Sequence, residues 1–424
     1  MSVPPQFGKG SAAHGVRRVG VFFGGISPEH EVSIISALQA MAALDKHKWL
    51  PVPIYVTKSG VWWTGDSLRD PAVFKQPLVE SNRAFRVNPK PGAGRGLVLE
   101  ASGPSAWYAR SRPAVRVDVV LPIMHGGAGE DGSLQGLFET LSVPYAGSGP
   151  LAAALAMDKV AAKRWAAGYD IPQAFFYAFN EASWQGSEEA MLDRLIETVG
   201  LPCIVKPASL GSSIGIARAE TRAELNAAVE DAMRYDASVV VEEAVANLRE
   251  LNCSVLGRKG NARASVLEEP LSGEALLSFQ DKYMRGGGAG KGKGQPGVPL
   301  GKAPAAGMAS LDRQIPAAVS DALTDDVRAL AVRVFEVFDC QGVVRIDFLM
   351  DGTTGRVLFN EINTMPGSLS FYLWEPSGVP FAALLTEVIE AGLARHRENA
   401  GRIRSYDVNL LSARDLGGLK GAKG

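Results

Sequence analysis

Short apolar runs ending in glycine alternate along this chain with stretches of helical periodicity. RVGVFFGG, Arg18 to Gly25, reads as a buried strand closed by a glycine pair, and SPEHEVSIISALQAMAALDK follows with helix-start chemistry. Ser27 is placed to cap that helix and Pro28 suits its first turn. A second strand-then-helix step appears at VDVVLPIMHGG and SLQGLFETL. Residues 17–148 are therefore expected to form an open α/β domain with ligand-bearing glycine turns at its strand ends. The stretch from Arg86 to Arg116, broken by Pro, Gly and Arg, is expected to be a surface excursion.

From Leu151 the pattern changes. LAAALAMDKVAAKRWAAG predicts an Ala-rich helix, and GLPCIVKPASLGSSIGIARA predicts two strands around a Gly/Ser turn. A helix from about Arg222 to Tyr235 and a strand at SVVVEEAV complete a small α+β domain over 149–241. Residues 242–398 mix strands, a glycine-rich stretch and a final amphipathic helix, and are expected to be a third domain. The tail, 399–424, has too little apolar periodicity to assign, and no internal repeat is present.

With 424 residues, 46% of them hydrophobic, the chain can bury several cores. Its 44 Lys+Arg nearly balance 45 Asp+Glu, for a net charge of -1. That removes the long-range field used to hold nucleic acid or an anionic membrane, so small molecules are the expected partners. Cys203, Cys253 and Cys340 are far apart and lack a CxxC spacing, which argues against a disulfide framework or a zinc site. Neither a signal-peptide pattern nor a run of about 18 apolar residues occurs, so a cytoplasmic enzyme is expected.

The densest chemistry lies in VVRIDFLMDGTTGRVLFNEIN. Strand alternation puts Arg345 and Asp347 on one face and Ile346 and Phe348 on the other; Glu361 and Asn363 share a face in the next run. With DGTTG as the turn, a hairpin would set 347 opposite 361 and 345 opposite 363 in one register. Two carboxylates facing across strands repel unless a cation or a shared proton compensates. An oxygen-only set of Asp, Glu and Asn suits Mg²⁺, which usually bridges to substrate phosphates. The other reading is a solvated polar hairpin face.

A phosphate cradle is expected at Lys206-Pro-Ala-Ser-Leu-Gly-Ser-Ser-Ile-Gly, where small residues let backbone N–H groups approach phosphate oxygens. It is not a Walker A motif, and a simple hairpin turn is the bland alternative. Gly211 to Gly215 also reads GxSxG around Ser213, the pattern of a serine hydrolase, but IGIARA looks like a strand where a helix is required. Lys159 reads equally as a solvated lysine or a phosphate ligand, and Glu242 and Glu243 as a strand end reaching water or an acceptor for an adenine amino group. His125 follows a strand at the ligand-bearing edge, yet a lone His is as often structural; Glu29 lies in a first helical turn, where the dipole alone favours a carboxylate.

Taken in order, FFGGISPEHEVSIIS, PIMHGGAGEDGSLQGLFETLSVPYAGSG, ALAMDK, CIVKPASLGSSIGIA, VRIDFLM and NEINTMPGSLS resemble the D-alanine:D-alanine ligases of the ATP-grasp superfamily, from about Val19 to Leu393. The resemblance implies a three-domain fold of mixed α/β and α+β class that uses ATP and two Mg²⁺ (or Mn²⁺) ions to join two D-alanines through a D-alanyl phosphate. It implies that Glu29 holds the first ammonium, with His125 nearby; that Lys159 and Lys206 contact ATP phosphates and Lys282 the γ-phosphate; and that Glu242 faces adenine and Glu250 the ribose. Asp347, Glu361 and Asn363 would hold the metal, Arg345 and the Gly367 N–H would stabilise an oxyanion, and Ser212 with Tyr283 would link the small domain's loop to a lid. Dimers are common in that family.

Two departures from the pattern stand out. After NTMPG the family usually carries a Ser that holds the second substrate's carboxylate; counting puts Tyr372 there, with Ser368, Ser370 or backbone N–H groups as substitutes. The segment after Tyr283, 286–302, is longer and richer in Gly and Lys than a compact lid. A second substrate of D-lactate or D-serine is the nearest alternative activity, and a non-catalytic ATP-binding module is a remote one.

Overall fold

The computed structural model describes residues 15–81, 83–92, 96–102, 114–209, 211, 214–271 and 313–403. The first sheet has seven strands in the order β6-β5-β4-β3-β2-β1-β7. They are β1 (Arg17–Gly24), β2 (Trp49–Val56), β3 (Trp62–Thr64), β4 (Phe85–Pro91), β5 (Leu97–Ala101), β6 (Val115–Val117) and β7 (Val119–Ile123). β1, between β2 and the edge strand β7, is parallel to both, and its Val19, Val21 and Phe23 are fully buried. The stretch from Arg86 to Arg116 is not simply a surface excursion, because β4, β5 and β6 extend the sheet antiparallel. Phe85, Val87, Leu97, Leu99 and Val117 alternate inward against Phe22 and Ile54, a period of two hidden by intervening Pro and Gly.

Helix α1 (His30–Ala43) follows β1. Ser27 is not its cap: the Ser27 hydroxyl accepts from the Glu29 N–H at 3.0 Å, and Glu29 occupies the cap position. Helix α2 (Ser133–Thr140) follows β7. The Ala-rich segment is two helices, α3 (Pro150–Met157) and α4 (Lys159–Ala167), parted at Asp158. Asp158 leaves helical geometry so that its carboxylate caps the Ala161 N–H at 2.8 Å, which puts Lys159 on the first turn of α4.

The second sheet, β10-β9-β11-β8, is antiparallel: β8 (Phe176–Asn180), β9 (Cys203–Pro207), β10 (Ala217–Ala219) and β11 (Ser238–Glu243). Its outer face packs against two amphipathic helices, Glu188–Thr198 and Arg222–Met233. The third sheet, β14-β13-β12-β15-β16, comprises β12 (Leu248–Arg258), β13 (Asn261–Pro270), β14 (Arg313–Gln314), β15 (Gly342–Asp351) and β16 (Val357–Asn363). One face buries Leu251, Cys253, Ile346 and Phe348 against Val327, Ala331, Val334 and Phe335 of the helix Asp321–Val337.

The β15–β16 hairpin has the register expected from its sequence at the decisive positions: Arg345 opposes Asn363 and Asp347 opposes Glu361. Beyond Asp347 a bulge inserts Asn360, so Phe348 pairs with Phe359. The last helix, Phe381–Ala400, packs Leu385, Val388 and Ile389 into a core shared with β1 and with Val343 of β15. Its Gly392 permits that approach, since a Cβ there would lie 2.2 Å from the Tyr145 carbonyl oxygen. Among the described residues no helix is long and apolar enough to cross a membrane.

Candidate active site

The polar face of the third sheet floors a cavity of about 420 Å³ whose walls come from the second sheet, from the start of α1 and from the loop after β7. Cross-strand pairing lines up Glu361, Asp347, Asn252 and Glu268 on successive strands β16, β15, β12 and β13. Adjacent strands lie roughly 4.8 Å apart, so these four side chains form one continuous polar row. Asp347 receives two N–H bonds from Arg345, both 2.6 Å, and a third from the Asn363 amide at 3.2 Å. Burial raises the Asp347 pKa, Arg345 opposes that rise, and the facing Glu361 adds to it, leaving it above the ordinary carboxylate value. A cation between the strands would reverse the balance.

At the other end, Lys206 of β9 and Glu242 of β11 are diagonal neighbours on one sheet face. The Lys206 ammonium donates to Glu242 Oε2 at 3.1 Å and to Asn360 Oδ1 at 3.0 Å, a contact that the bulge makes by turning Asn360 inward. Glu242 is buried, and its second oxygen lies 3.3 Å from the Lys163 ammonium, close but not aligned as a hydrogen bond. Burial alone would raise the Glu242 pKa; Lys163 and then Lys206 overcome it and hold the carboxyl below its usual range. Lys159 is buried on the same helix face one turn earlier, where burial lowers its pKa against the pull of Glu361.

Sequence reasoning passed over Lys163, although its spacing of four from Lys159 on a helix was the available signal. It also passed over Asn252, Glu268, Arg313 and Asn360, which sequence-distant strand pairing brings to the cavity.

Glu29, Glu250 and Gly367 line the cavity with the residues above. His125 lines it too, but both ring nitrogens are engaged, Nδ1 with the Met365 carbonyl and Nε2 with the Ser36 hydroxyl, each at 3.0 Å. Burial would lower the His125 pKa, but Glu130, 3.5 Å away, raises it. That geometry makes His125 a tie between α1 and the turn after β16.

Ser370 and Tyr372 do not line the cavity. Ser370 is fully buried with its hydroxyl unpaired among the described residues, in a left-handed turn where Ser368, Leu369 and Ser370 have φ of 51°, 53° and 50°. The Tyr372 hydroxyl donates to Glu268 Oε1 at 3.3 Å. Ser212, Ser213, Lys282, Tyr283 and the 286–302 segment lie outside the described residues, as does the tail from 404 on.

The donor set fits a hard cation. Asp347, Glu361 and the Asn363 carboxamide offer oxygen only, and among the described residues no third carboxylate, imidazole or thiol joins them at one point. Two carboxylates with room for phosphate oxygens and water is the environment magnesium prefers.

The described geometry has counterparts among known proteins. Residues 18–148 match the family described as D-ala D-ala ligase N-terminus, and residues 166–293 and 306–390 match D-ala D-ala ligase C-terminus. The D-alanine–D-alanine ligase of Heliobacterium modesticaldum is 38% identical across 90% of this chain and 95% of its own; that of Geobacillus kaustophilus is 35% identical across 90% and 96%. Among solved structures, the D-alanine-D-alanine ligase from Coxiella burnetii superposes with a TM-score of 0.71 at 28% identity, covering 92% of this chain and 97% of that one. The VanG D-Ala:D-Ser ligase from Enterococcus faecalis gives 0.70 at 26% identity, covering 89% and 99%.

Proposed function

The chain belongs to the D-alanine–D-alanine ligase family and has its ATP-grasp fold, and on that premise we propose that it joins two D-alanines into D-alanyl-D-alanine for peptidoglycan synthesis, at the expense of ATP. The first D-alanine's carboxylate oxygen attacks the γ-phosphorus, the bond to ADP breaks, and an acyl phosphate forms. The second D-alanine's amine, having lost its proton, attacks the acyl carbon; the bond to phosphate breaks and the peptide remains. ATP use assigns the reaction to the cytoplasm.

The observation that carries this reading is the facing of Asp347 and Glu361 across the floor of a cavity whose far end gathers Lys159, Lys206 and Glu242. Both half-reactions concentrate negative charge, and such an arrangement offsets it. Lys159 and Lys206 bind phosphate oxygens, Glu242 accepts from the adenine amino group, and Glu250 takes the ribose. Glu29, at the start of α1, binds the first ammonium. Arg345 and the Gly367 N–H stabilise the oxyanion at the acyl carbon, with Lys282, Tyr283 and Ser212 completing the closed site. Asp347, Glu361 and Asn363 hold two Mg²⁺ ions, or Mn²⁺, which when bound neutralise phosphate charge. The three units that do this are assigned to 17–148, 149–241 and 242–398. Exclusion of water protects the acyl phosphate.

Phosphate release tests the proposal. D-Alanine alone with ATP and Mg²⁺ should release phosphate in step with dipeptide. If phosphate and product appear only when D-serine or D-lactate is added, the second-substrate assignment is wrong; ATP binding without any D-alanine-dependent phosphate would refute the ligase reading.

A further inference from the structure

We infer that Arg313 binds the carboxylate of the second, accepting amino acid, and that Tyr372 and Glu268 hold it in position for this. The inference rests on the two-amino-acid reaction above, because only there does the acceptor carry a carboxylate of its own. A buried carboxylate needs a cationic partner.

Among the described residues, five cations line the cavity: Lys159, Lys206, Arg218, Arg313 and Arg345. Lys159 and Lys206 belong to the end where Glu242 sits, and the Arg218 side chain is 42% exposed and paired with Glu220. Arg345 commits Nε and Nη2 to Asp347. Arg313 stands at the opposite end, on edge strand β14, with its side chain only 10% exposed.

Arg313 is held as a binding group would be. Its guanidinium lies 4.2 Å from the centre of the Tyr372 ring, which sets the plane of the fork. Its Nη1 donates to Glu268 Oε2 at 2.7 Å. Glu268 is fixed in turn through Oε1, which accepts from Asn252 at 2.9 Å and from the Tyr372 hydroxyl at 3.3 Å. Asn252 is the cross-strand partner of Asp347, so the cluster continues the polar row toward the acyl-transfer centre. Glu268 and Tyr372 both lie near enough to Arg345 to act on its charge. An arginine immobilised in this way gives up little further freedom on meeting a planar carboxylate. Neither Ser370 nor the Tyr372 hydroxyl takes that role, since one is sealed from the cavity and the other is turned to Glu268.

The test is a competition for the acyl phosphate between D-alanine and D-alaninamide, whose carboxylate is replaced by a neutral amide and which cannot serve as donor. The mass ratio of D-alanyl-D-alanine to D-alanyl-D-alaninamide reads acceptor recognition alone. Losing a charge-assisted pair worth a factor of about 30 or more should lower that ratio by the same factor in R313M, with the KM for ATP unchanged. A merely structural Arg313 would depress both products together and leave the ratio at the wild-type value, which overturns the inference. If R313M fails to fold because Glu268 is left charged and buried, R313M/E268Q removes that charge and should show the same shift. R313K keeps the ion pair but loses the fork, and should move the ratio several-fold; an unchanged ratio in R313K and in any folded R313M form counts against Arg313. A wild-type protein that releases no D-alanine-dependent phosphate refutes the ligase reading instead.

Discussion

Replacing Lys163 by Met should weaken ATP binding far more than it weakens the free protein. Glu242 has two cations beside it, Lys206 at 3.1 Å and Lys163 at 3.3 Å. At 3.3 Å and an effective dielectric constant of 20 the Lys163–Glu242 attraction is about 5 kcal/mol before desolvation is subtracted. The Lys163 side chain is 1% exposed, and burial, with the neighbouring Lys206, lowers its pKa despite the pull of Glu242, so desolvation offsets much of that attraction. With Lys206 still beside Glu242, the free variant should lose only about 1 kcal/mol. Once a phosphate draws Lys206 away, Lys163 is the nearer remaining cation of this pair, and its absence costs about 3 kcal/mol; the excess of about 2 kcal/mol over the free protein is roughly a 30-fold rise in Kd for ATP. Acid titration gives a second reading. Glu242 is held below its ordinary pKa, so it contributes stability above the unfolded carboxylate value that is lost as pH falls through the folded one. Lys163→Met raises that folded value and should move acid unfolding to higher pH. Calorimetric titration with a non-hydrolysable ATP analogue and thermal melts check both. An unchanged Kd with a large loss of melting temperature would refute the reasoning and make Lys163 a structural ion only.

Glu361→Gln should fold normally but lose turnover, with the Mg²⁺ requirement shifted to higher concentration, as read from phosphate release across a Mg²⁺ series; normal activity at limiting Mg²⁺ would remove the hairpin from the site. Ser370→Ala deletes a buried hydroxyl unpaired among the described residues, so denaturant unfolding should show it neutral or up to about 1 kcal/mol more stable, with the KM for D-alanine unchanged. Burial pushes the thiol of Cys203 up to about 11 and those of Cys253 and Cys340 up to about 12. In the native protein at pH 8 all three should resist a disulfide reagent, and all should react on unfolding.

Local pattern carried a large part of this molecule. The period of two in VVRIDFLM and VLFNEIN, with one turn between them, was enough to oppose Asp347 to Glu361, because a short hairpin leaves few registers that keep Ile346 and Phe348 inside. Motif order along the chain was enough to point to the family, since it needs only residue types at fixed spacings. The break at Asp158 was visible as a capping residue, yet an Ala-rich run reads as continuous helix until a cap competes for its backbone. Tertiary structure alone decided the rest. Asn252, Glu268 and Arg313 reach the cavity only through pairing of strands far apart in sequence, and the inward turn of Asn360 depends on a bulge. Whether the Tyr372 hydroxyl faces substrate or Glu268 is set by what packs around it. Alternation along a strand states which residues share a face; which face meets which neighbour is settled by burying the first and third sheets against a common core and the second against its own helices, a long-range balance that no local spacing encodes.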